Sequence, residues 1–450
     1  MSSAREVALR LLLAVEIDDV YANLRLPSLL REAGLPPRDR ALATELGYGT
    51  LRAQGSLDHL LTASSNRPLA SLDPDVRALL RLGAYQLWRT RIPRHAAVAA
   101  TVDLAVGRGA RGFVNAVLRR TAERCSGPDP LGLAEVGDPY ERLALQHAHP
   151  RWVVHAYADA LAGDLDEAGA ALAGDDTRPT VHLAALPGRI TAAELAAESG
   201  GSLGPLSPYA VHLDSGGDPA SLPSIRAGRA RVQDEGSQLV ALALHRALAA
   251  DGPGDLIDLT AGPGGKAALL AALPGGRRVL AVELHAHRAM LVRSAGVSAV
   301  VVADGRRSPL FPGRAAGVLL DAPCTGLGAL RRRPEARWRR TPKDLPNLVR
   351  SQQGLLDAAL ELVRPGGVVA YAVCSPHLAE AVLAPRPDVE VIDAPALLGL
   401  GESARAPEQG GRRMQLWPHR HGTDAMSLTL LRRREPSASP TREPRANQKG

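Results

Sequence analysis

The sequence predicts a multidomain protein with an all-α N-terminal domain, a small α/β connector and a C-terminal α/β domain. Three observations predict it. Through the first 125 residues, apolar side chains recur at helical spacing and no strand-like alternation interrupts them. From 126 to 230, Gly and Pro punctuate short apolar pieces. From Gly254 onward, short apolar runs alternate with helical segments, the pattern of a parallel, doubly wound sheet. The expected division is therefore 1–125, 126–230 and 231–435, followed by a Pro-, Ser-, Arg- and Asn-rich tail over 436–450 that reads as disordered. A length of 450 residues suits roughly three domains.

The elements follow in order. Val7, Leu11, Leu12 and Val15 predict a first helix, and Leu42, Leu46 and Leu51 another. A helix over 75–90 carries Val76, Leu79, Leu80, Leu82 and Leu87, and Ile92-Pro93 ends it, because the residue before proline is pushed out of helical geometry. A single helix is expected from His95 to about Arg119, with Val98, Val102, Leu104, Val106 and Val114 as its apolar residues. In the connector, Val181–Leu183 and Val211–Leu213 are short apolar pieces. Strands are then expected at Leu256–Thr260, Val279–Glu283, Ala299–Asp304, Val318–Asp321 and Val368–Val373, with a closing hairpin in 413–433.

The first of those strands runs into Asp258-Leu-Thr-Ala-Gly-Pro-Gly-Gly-Lys266 and then a helix. Glycines let backbone approach a ligand, and a helix N-terminus offers free N–H donors. A phosphate-binding P-loop would need Gly at 260 and Ser or Thr at 267, where the chain has Thr260 and Ala267. The dinucleotide fingerprint starts at Gly262 and Gly264 but meets Ala267 in place of its third glycine. What remains is a glycine loop with acids at the carboxyl ends of the following strands: Glu283, Asp304 and Asp321. Each acid alone reads as a helix cap or a turn residue. Aligned at strand ends, where open α/β sheets bind ligands, they point to a cofactor containing a nucleoside, with Glu283 placed to accept from ribose hydroxyls.

Cysteines occur only at 125, 324 and 374, too few for a disulfide framework and wrongly spaced for zinc; no metal site is expected. Free Cys is usually a small buried hydrophobe. Cys324 and Cys374, however, follow the fourth and fifth strands and so fall on one rim of the sheet, beside the nucleoside site.

The segments VQDEGSQ (232–238), DLTAGPGGK, LLDAPCTGLG and YAVCSPH resemble those of the RNA 5-methylcytosine methyltransferase family, most closely its bacterial members acting on small-subunit ribosomal RNA. DRALATELGYGTLR (39–52) and LGAYQLWRTRIPRHAAVAATVDLA (82–105) are similar to the NusB-like helical RNA-binding domain of those members. The resemblance implies a Rossmann-like methyltransferase fold and S-adenosylmethionine as cofactor. It implies cofactor contacts from Thr260, Ala261, Gly262, Pro263, Gly264, Gly265, Lys266, Glu283, Asp304 and Asp321. It further implies Cys374 as the nucleophile that adds to carbon 6 of cytosine, Cys324 as the thiol that aids product release, and Asp321 on the base edge. A stacked cytosine would have to leave its stack to reach such a pocket. Some positions depart from the pattern: Thr260 replaces a usual Cys, Glu283 a usual Asp and Val373 a usual Thr. After His377 the usual Pro-Glu-Glu is Leu378-Ala379-Glu380, and HGTDAM (421–426) lacks the usual Gly-Phe-Phe.

The charge of +7 and pI near 9.7 favour a polyanionic partner. Arg331, Arg332, Arg333, Arg337, Arg339 and Arg340 are expected to contact RNA phosphates, with Trp338 packed as an anchor. His377 and the His419–His421 run read as structural. With aromatics at 3%, recognition is expected to rest on RNA shape and backbone. No apolar run nears the ~18 residues of a membrane span, and the N-terminus lacks a signal-peptide layout. A cytoplasmic monomer acting on 16S ribosomal RNA is the expectation. The alternatives are a tRNA cytosine-5 methyltransferase and a non-catalytic RNA-binding assembly factor that keeps the fold.

Overall fold

The computed structural model describes residues 3–213 and 218–435. The expected tail, 436–450, lies outside the described residues. The N-terminal part is helical: α1 (Ala4–Ile17), α2 (Ala22–Ala33), α3 (Pro37–Arg52), α4 (Gln54–Thr62), α5 (Pro74–Arg89), α6 (Arg94–Val102) and α7 (Arg108–Arg124). Ser3 and Glu6 form a reciprocal capping box that starts α1, and Val7, Leu11, Leu12 and Val15 are the face it buries. The stretch expected as one helix from His95 to Arg119 is two. It breaks between Asp103 and Gly107, where Gly107 takes a φ of +87° and Val106 stands 91% exposed. Periodicity alone carries Val106 across that break as if it lay on the buried face.

Helices α8 (Pro139–Gln146), α9 (Arg151–Ala160) and α10 (Leu165–Asp176) follow. They pack Val153, Val154, Tyr157 and Leu172 into one core with Leu327, Leu330 and Trp417 from the far end of the chain. Next comes a small antiparallel sheet, of order β2-β3-β1-β4, made by β1 (Val181–Ala185), β2 (Ser202–Leu203), β3 (Ala210–Leu213) and β4 (Ala230–Val232). Helix α11 (Ala192–Ser199) lies between β1 and β2, and α12 (Pro223–Arg226) precedes β4.

After α13 (Glu235–Ala247) the chain alternates: β5 (Leu256–Asp258), α14 (Gly265–Ala272), β6 (Val279–Glu283), α15 (Ala286–Ser294), β7 (Ala299–Val302), β8 (Ala315–Asp321). Then come α16 (Ala336–Arg339), α17 (Leu345–Leu362), β9 (Val363–Val373), α18 (Leu378–Ala381), β10 (Val389–Ile392), α19 (Ala394–Leu398), β11 (Met414–Gln415), α20 (Pro418–His421) and β12 (Ser427–Arg433). The strands line up as β10-β12-β9-β8-β5-β6-β7. β5 to β9 are parallel, as their alternation with helices requires, and β12 enters antiparallel between β9 and β10. β11 pairs antiparallel with β12, so the expected closing hairpin exists, with α20 in its bend. Buried apolar layers cover both faces, with Leu242, Leu269 and Leu319 on one side and Val318, Leu355 and Val369 on the other. The central strands are apolar throughout because neither face meets water. Among the described residues no helix is long and apolar enough to cross a membrane.

Candidate active site

Strand order puts the carboxyl ends of β5, β6, β7, β8 and β9 on one rim, and every site residue expected from the sequence falls there. Gly264 takes a φ of +102°, and a Cβ on it would stand 2.8 Å from the Ala295 methyl and 3.0 Å from the Val292 Cα, so the turn into α14 admits glycine. The loop is pinned to its neighbours. Glu283, at the end of β6, accepts from the Gly262 N–H at 2.9 Å and the His285 N–H at 3.0 Å. Arg288 donates back to the Gly262 carbonyl at 2.5 Å. Thr260 donates its hydroxyl to the Asp321 carbonyl at 2.9 Å, tying the end of β5 to the end of β8.

Lys266 reaches across the loop to the Asp321 carboxylate, Nζ to Oδ2 2.6 Å. Burial alone would depress its ammonium pKa; Asp321 more than offsets this, and the pKa lies above the ordinary lysine value. Asp258 lies beneath them, 1% exposed. Burial, then the Asp321 charge, pushes its carboxyl up to about 7. Asp304 caps the turn after β7 and is faced by its own neighbour Arg306, whose guanidinium holds it below the ordinary carboxylate range.

The two cysteines meet. Their Sγ atoms are 3.4 Å apart, Cys324 just beyond the end of β8 and Cys374 just beyond the end of the adjacent parallel strand β9. The hydrogen bond to Cys374, then burial, then the charges of Cys374, Glu380 and Asp321 push the Cys324 thiol well above its ordinary value. Behind the pair, Glu380 is fully buried. It accepts from the Thr325 N–H at 2.8 Å, the Thr325 and Ser375 hydroxyls (2.7 Å for Ser375) and the Gln352 amide at 3.1 Å. The loops are also joined through Gly328, whose N–H donates to the Cys374 carbonyl at 2.9 Å and whose carbonyl accepts from Ala425 at 2.8 Å. A Cβ at 328 would stand 1.9 Å from the Ala425 oxygen. Cys125, by contrast, packs against the core of the N-terminal helices.

Sequence reasoning missed Glu380, Asp258 and Arg288 as members of this site. Glu380 had a signal: it is the acid that survives in the altered segment after His377. His377 itself caps α18, its Nδ1 accepting from Ala379, and His421 accepts from the Trp417 N–H in the same way.

Four of the six arginines, Arg331, Arg332, Arg337 and Arg339, do not form the free phosphate-binding surface expected of the run, whereas Arg333 is exposed. Arg331 and Arg332 both bond Asp234 and Asp424, and Arg331 is 4% exposed. Arg337 is fully buried and donates to the carbonyls of Arg52 (2.8 Å), His147 (3.2 Å) and Asp175 (2.9 Å), and to Asp176 Oδ1 at 2.8 Å. Arg339 bonds the carbonyls of Val15 and Val20, and Glu335 accepts from the Ala22 N–H. The run is a brace between the helical lobe and the catalytic sheet. Its carbonyl and carboxylate partners lie far away in the sequence, so the run reads as a solvated basic stretch until the chain is folded. Trp338 packs its ring edge against Gly55 in α4 but stays 37% exposed, so it is a partly exposed contact and not a buried anchor.

Two family models match the chain: NusB over residues 2–123 and 16S rRNA methyltransferase RsmB/F over residues 246–432. A Mycobacterium tuberculosis protein carried under a methyltransferase name is 51% identical, covering 96% of this chain and 97% of its own length. Ribosomal RNA small subunit methyltransferase B of Pseudomonas putida is 34% identical over 88% of this chain and 92% of its own. Among solved structures, the crystal structure of PH0851 covers 96% of this chain and 99% of its own, with a TM-score of 0.77 and 20% identity, a likeness of fold. With a NusB domain in front, a methyltransferase sheet behind and relatives that match along nearly the whole length, the chain belongs to the RsmB/F family of 16S rRNA methyltransferases.

Proposed function

We propose that this RNA methyltransferase forms 5-methylcytosine in small-subunit ribosomal RNA through a covalent bond between Cys374 and the base. The observation that carries the reading is the cysteine pair, 3.4 Å apart at adjacent strand ends and beside the Lys266–Asp321 pair. In the proposed division, 1–125 grips RNA, 126–230 connects and 231–435 catalyses. S-adenosylmethionine is the cofactor, and it supplies an electrophilic methyl group on a sulfonium. The backbone from Thr260 to Lys266 would line it, with Glu283 and Asp304 toward its polar groups. Glu283 suits a ribose by its place: it is buried at the end of β6, one oxygen accepting from the Gly262 N–H of the glycine loop and the other from the His285 N–H of the next turn.

Carbon 5 of cytosine is a weak nucleophile. Addition of the Cys374 sulfur to carbon 6 pushes an electron pair onto carbon 5, the atom that takes the methyl group. Asp321 would stabilise protonation at nitrogen 3 as that adduct forms. The proton on carbon 5 must then leave to a base, so that the carbon–sulfur pair returns to Cys374. Cys324 is placed for that step, its sulfur 3.4 Å from that of Cys374.

The test is to incubate the protein and S-adenosylmethionine with unmodified small-subunit ribosomal RNA and map 5-methylcytosine by bisulfite sequencing, with Cys374→Ala alongside. One marked cytosine, lost in the variant, is the expected result. A mark on tRNA and none on ribosomal RNA would move the substrate. Cofactor binding with no mark on either would replace the reading with a non-catalytic RNA-binding factor.

A further inference from the structure

We propose that Glu380 is a positioning residue for the cysteine pair, holding the two loops in register by bonding the residue that follows each thiol. Those residues are Thr325, after Cys324, and Ser375, after Cys374, and the Glu380 carboxylate takes donors from both. The two hydroxyls also touch each other, 3.1 Å apart, which closes a buried polar ring behind the sulfurs. Gln352 locks the ring to α17: its amide nitrogen donates to Glu380 and to the carbonyl of Pro323, the residue before Cys324, at 2.9 Å. Tyr371 donates to the Glu380 carbonyl at 2.8 Å and so fixes the backbone that carries the acid to strand β9.

The donors to the carboxylate are a backbone N–H, two hydroxyls and an amide, all neutral. A fully buried carboxylate is costly, and hydrogen bonds to an ionised acceptor are about twice as strong as neutral ones. The four groups are therefore held in one arrangement, and the sulfurs with them. The charge has a second effect. Cys374, Glu380 and Asp321 surround Cys324, and the negative charge at 380 adds to those that keep this thiol protonated. Glutamine at 380 would keep the shape and one acceptor, remove the charge, and place an NH2 where two donors now point. Aspartate would keep the charge and shorten the reach by one methylene.

This inference rests on the reading of Cys374 and Cys324 as the reacting thiols, and one of its tests needs no RNA. Full-length wild type, Glu380→Gln and Glu380→Asp would be alkylated with iodoacetamide across a pH series, with each cysteine followed by mass spectrometry. Methyl transfer to small-subunit ribosomal RNA would be measured on the same preparations. The Gln variant is expected to move the Cys324 alkylation midpoint to lower pH, and the Asp variant to leave it raised. Both should lower kcat by about 10²-fold, the scale of a misplaced reacting group, with KM for S-adenosylmethionine changed less than twofold. If the Gln variant does not fold, Ser375→Ala, which removes one tether and leaves the charge, carries the kcat arm, and wild-type kcat in it would overturn the proposal. An unshifted Cys324 midpoint in Gln together with wild-type kcat in the variants would overturn the proposal. A shifted midpoint in a protein that methylates no RNA would support the Glu380 assignment while removing the reaction.

Discussion

Cys324 and Cys374 are separated by 50 residues and their sulfurs by 3.4 Å. They stand at the ends of neighbouring parallel strands, and the loops that present them are bonded to each other through Gly328 and through Glu380. A disulfide needs sulfurs at about 2.05 Å, a small closure from this distance. Diamide is therefore expected to link the pair, taking two electrons and two protons from the thiols. Methyl transfer should stop and return with dithiothreitol, and peptide mapping should find Cys324 joined to Cys374 with Cys125 free. Inactivated protein whose peptide map shows Cys324 and Cys374 unlinked would sink this expectation.

Gly328 and Gly326 lie two residues apart, and alanine should cost very different amounts at the two. Gly326 takes a φ of +76° with open space where a Cβ would go, so Gly326→Ala should cost only the left-handed strain of about 1–2 kcal/mol. At Gly328 a Cβ would meet the Ala425 oxygen at 1.9 Å and Cys374 backbone at 3.0 Å. Backbone must move there, and Gly328→Ala should destabilise by about 3 kcal/mol or more and abolish methyl transfer. Urea denaturation of both variants checks the order.

Asp258 gives the stability a pH signature. Its folded pKa, about 7, lies above the ordinary 3.8. A raised folded pKa means the folded state holds the proton more tightly. The stabilisation is complete below about pH 4 and is lost as pH rises through 7. Asp258→Asn removes this dependence. Relative to wild type, the variant should gain about 2.5 kcal/mol of stability between pH 5 and pH 8, as read from unfolding curves at each pH. A difference that stays flat across that range would contradict it.

Arg337 is buried and bonded to four carbonyls, those of Arg52, His147, Ala148 and Asp175, and to Asp176 across the junction of the two lobes. Arg337→Ala leaves those acceptors without a donor and should cost about 3–5 kcal/mol. Arg337→Lys should not restore it, because an ammonium cannot fan its donors over the same set. Wild-type stability in either variant, by chemical denaturation, would refute the brace.

The parallel strands and the rim they share were legible because each has its own apolar run and its own terminal acid or cysteine. Leu256, Val279, Ala299 and Val368 all lie in strands where the runs placed them. The break before α7 was not legible, since Val106 keeps the helical period while facing solvent. Glu380 was passed over because its meaning depends on Thr325 and Ser375, which only folding brings to it. The arginine run misled for a related reason. A basic stretch looks the same whether water or distant Asp234 and Asp424 satisfies it, and those partners lie more than 90 residues away.

That inward-turned run makes the molecule a gauge. Because Arg337 and Arg339 fasten α1 and the end of α3 to the catalytic sheet, the span between the helical lobe and the sulfurs is set when the chain folds. If, as proposed, the lobe grips RNA and Cys374 takes a cytosine, an RNA that touches both must already hold that base at this one separation from the element the lobe grips. Selection would then fall on the three-dimensional spacing of two features, and two RNAs with the same local sequence would be told apart by how each is folded.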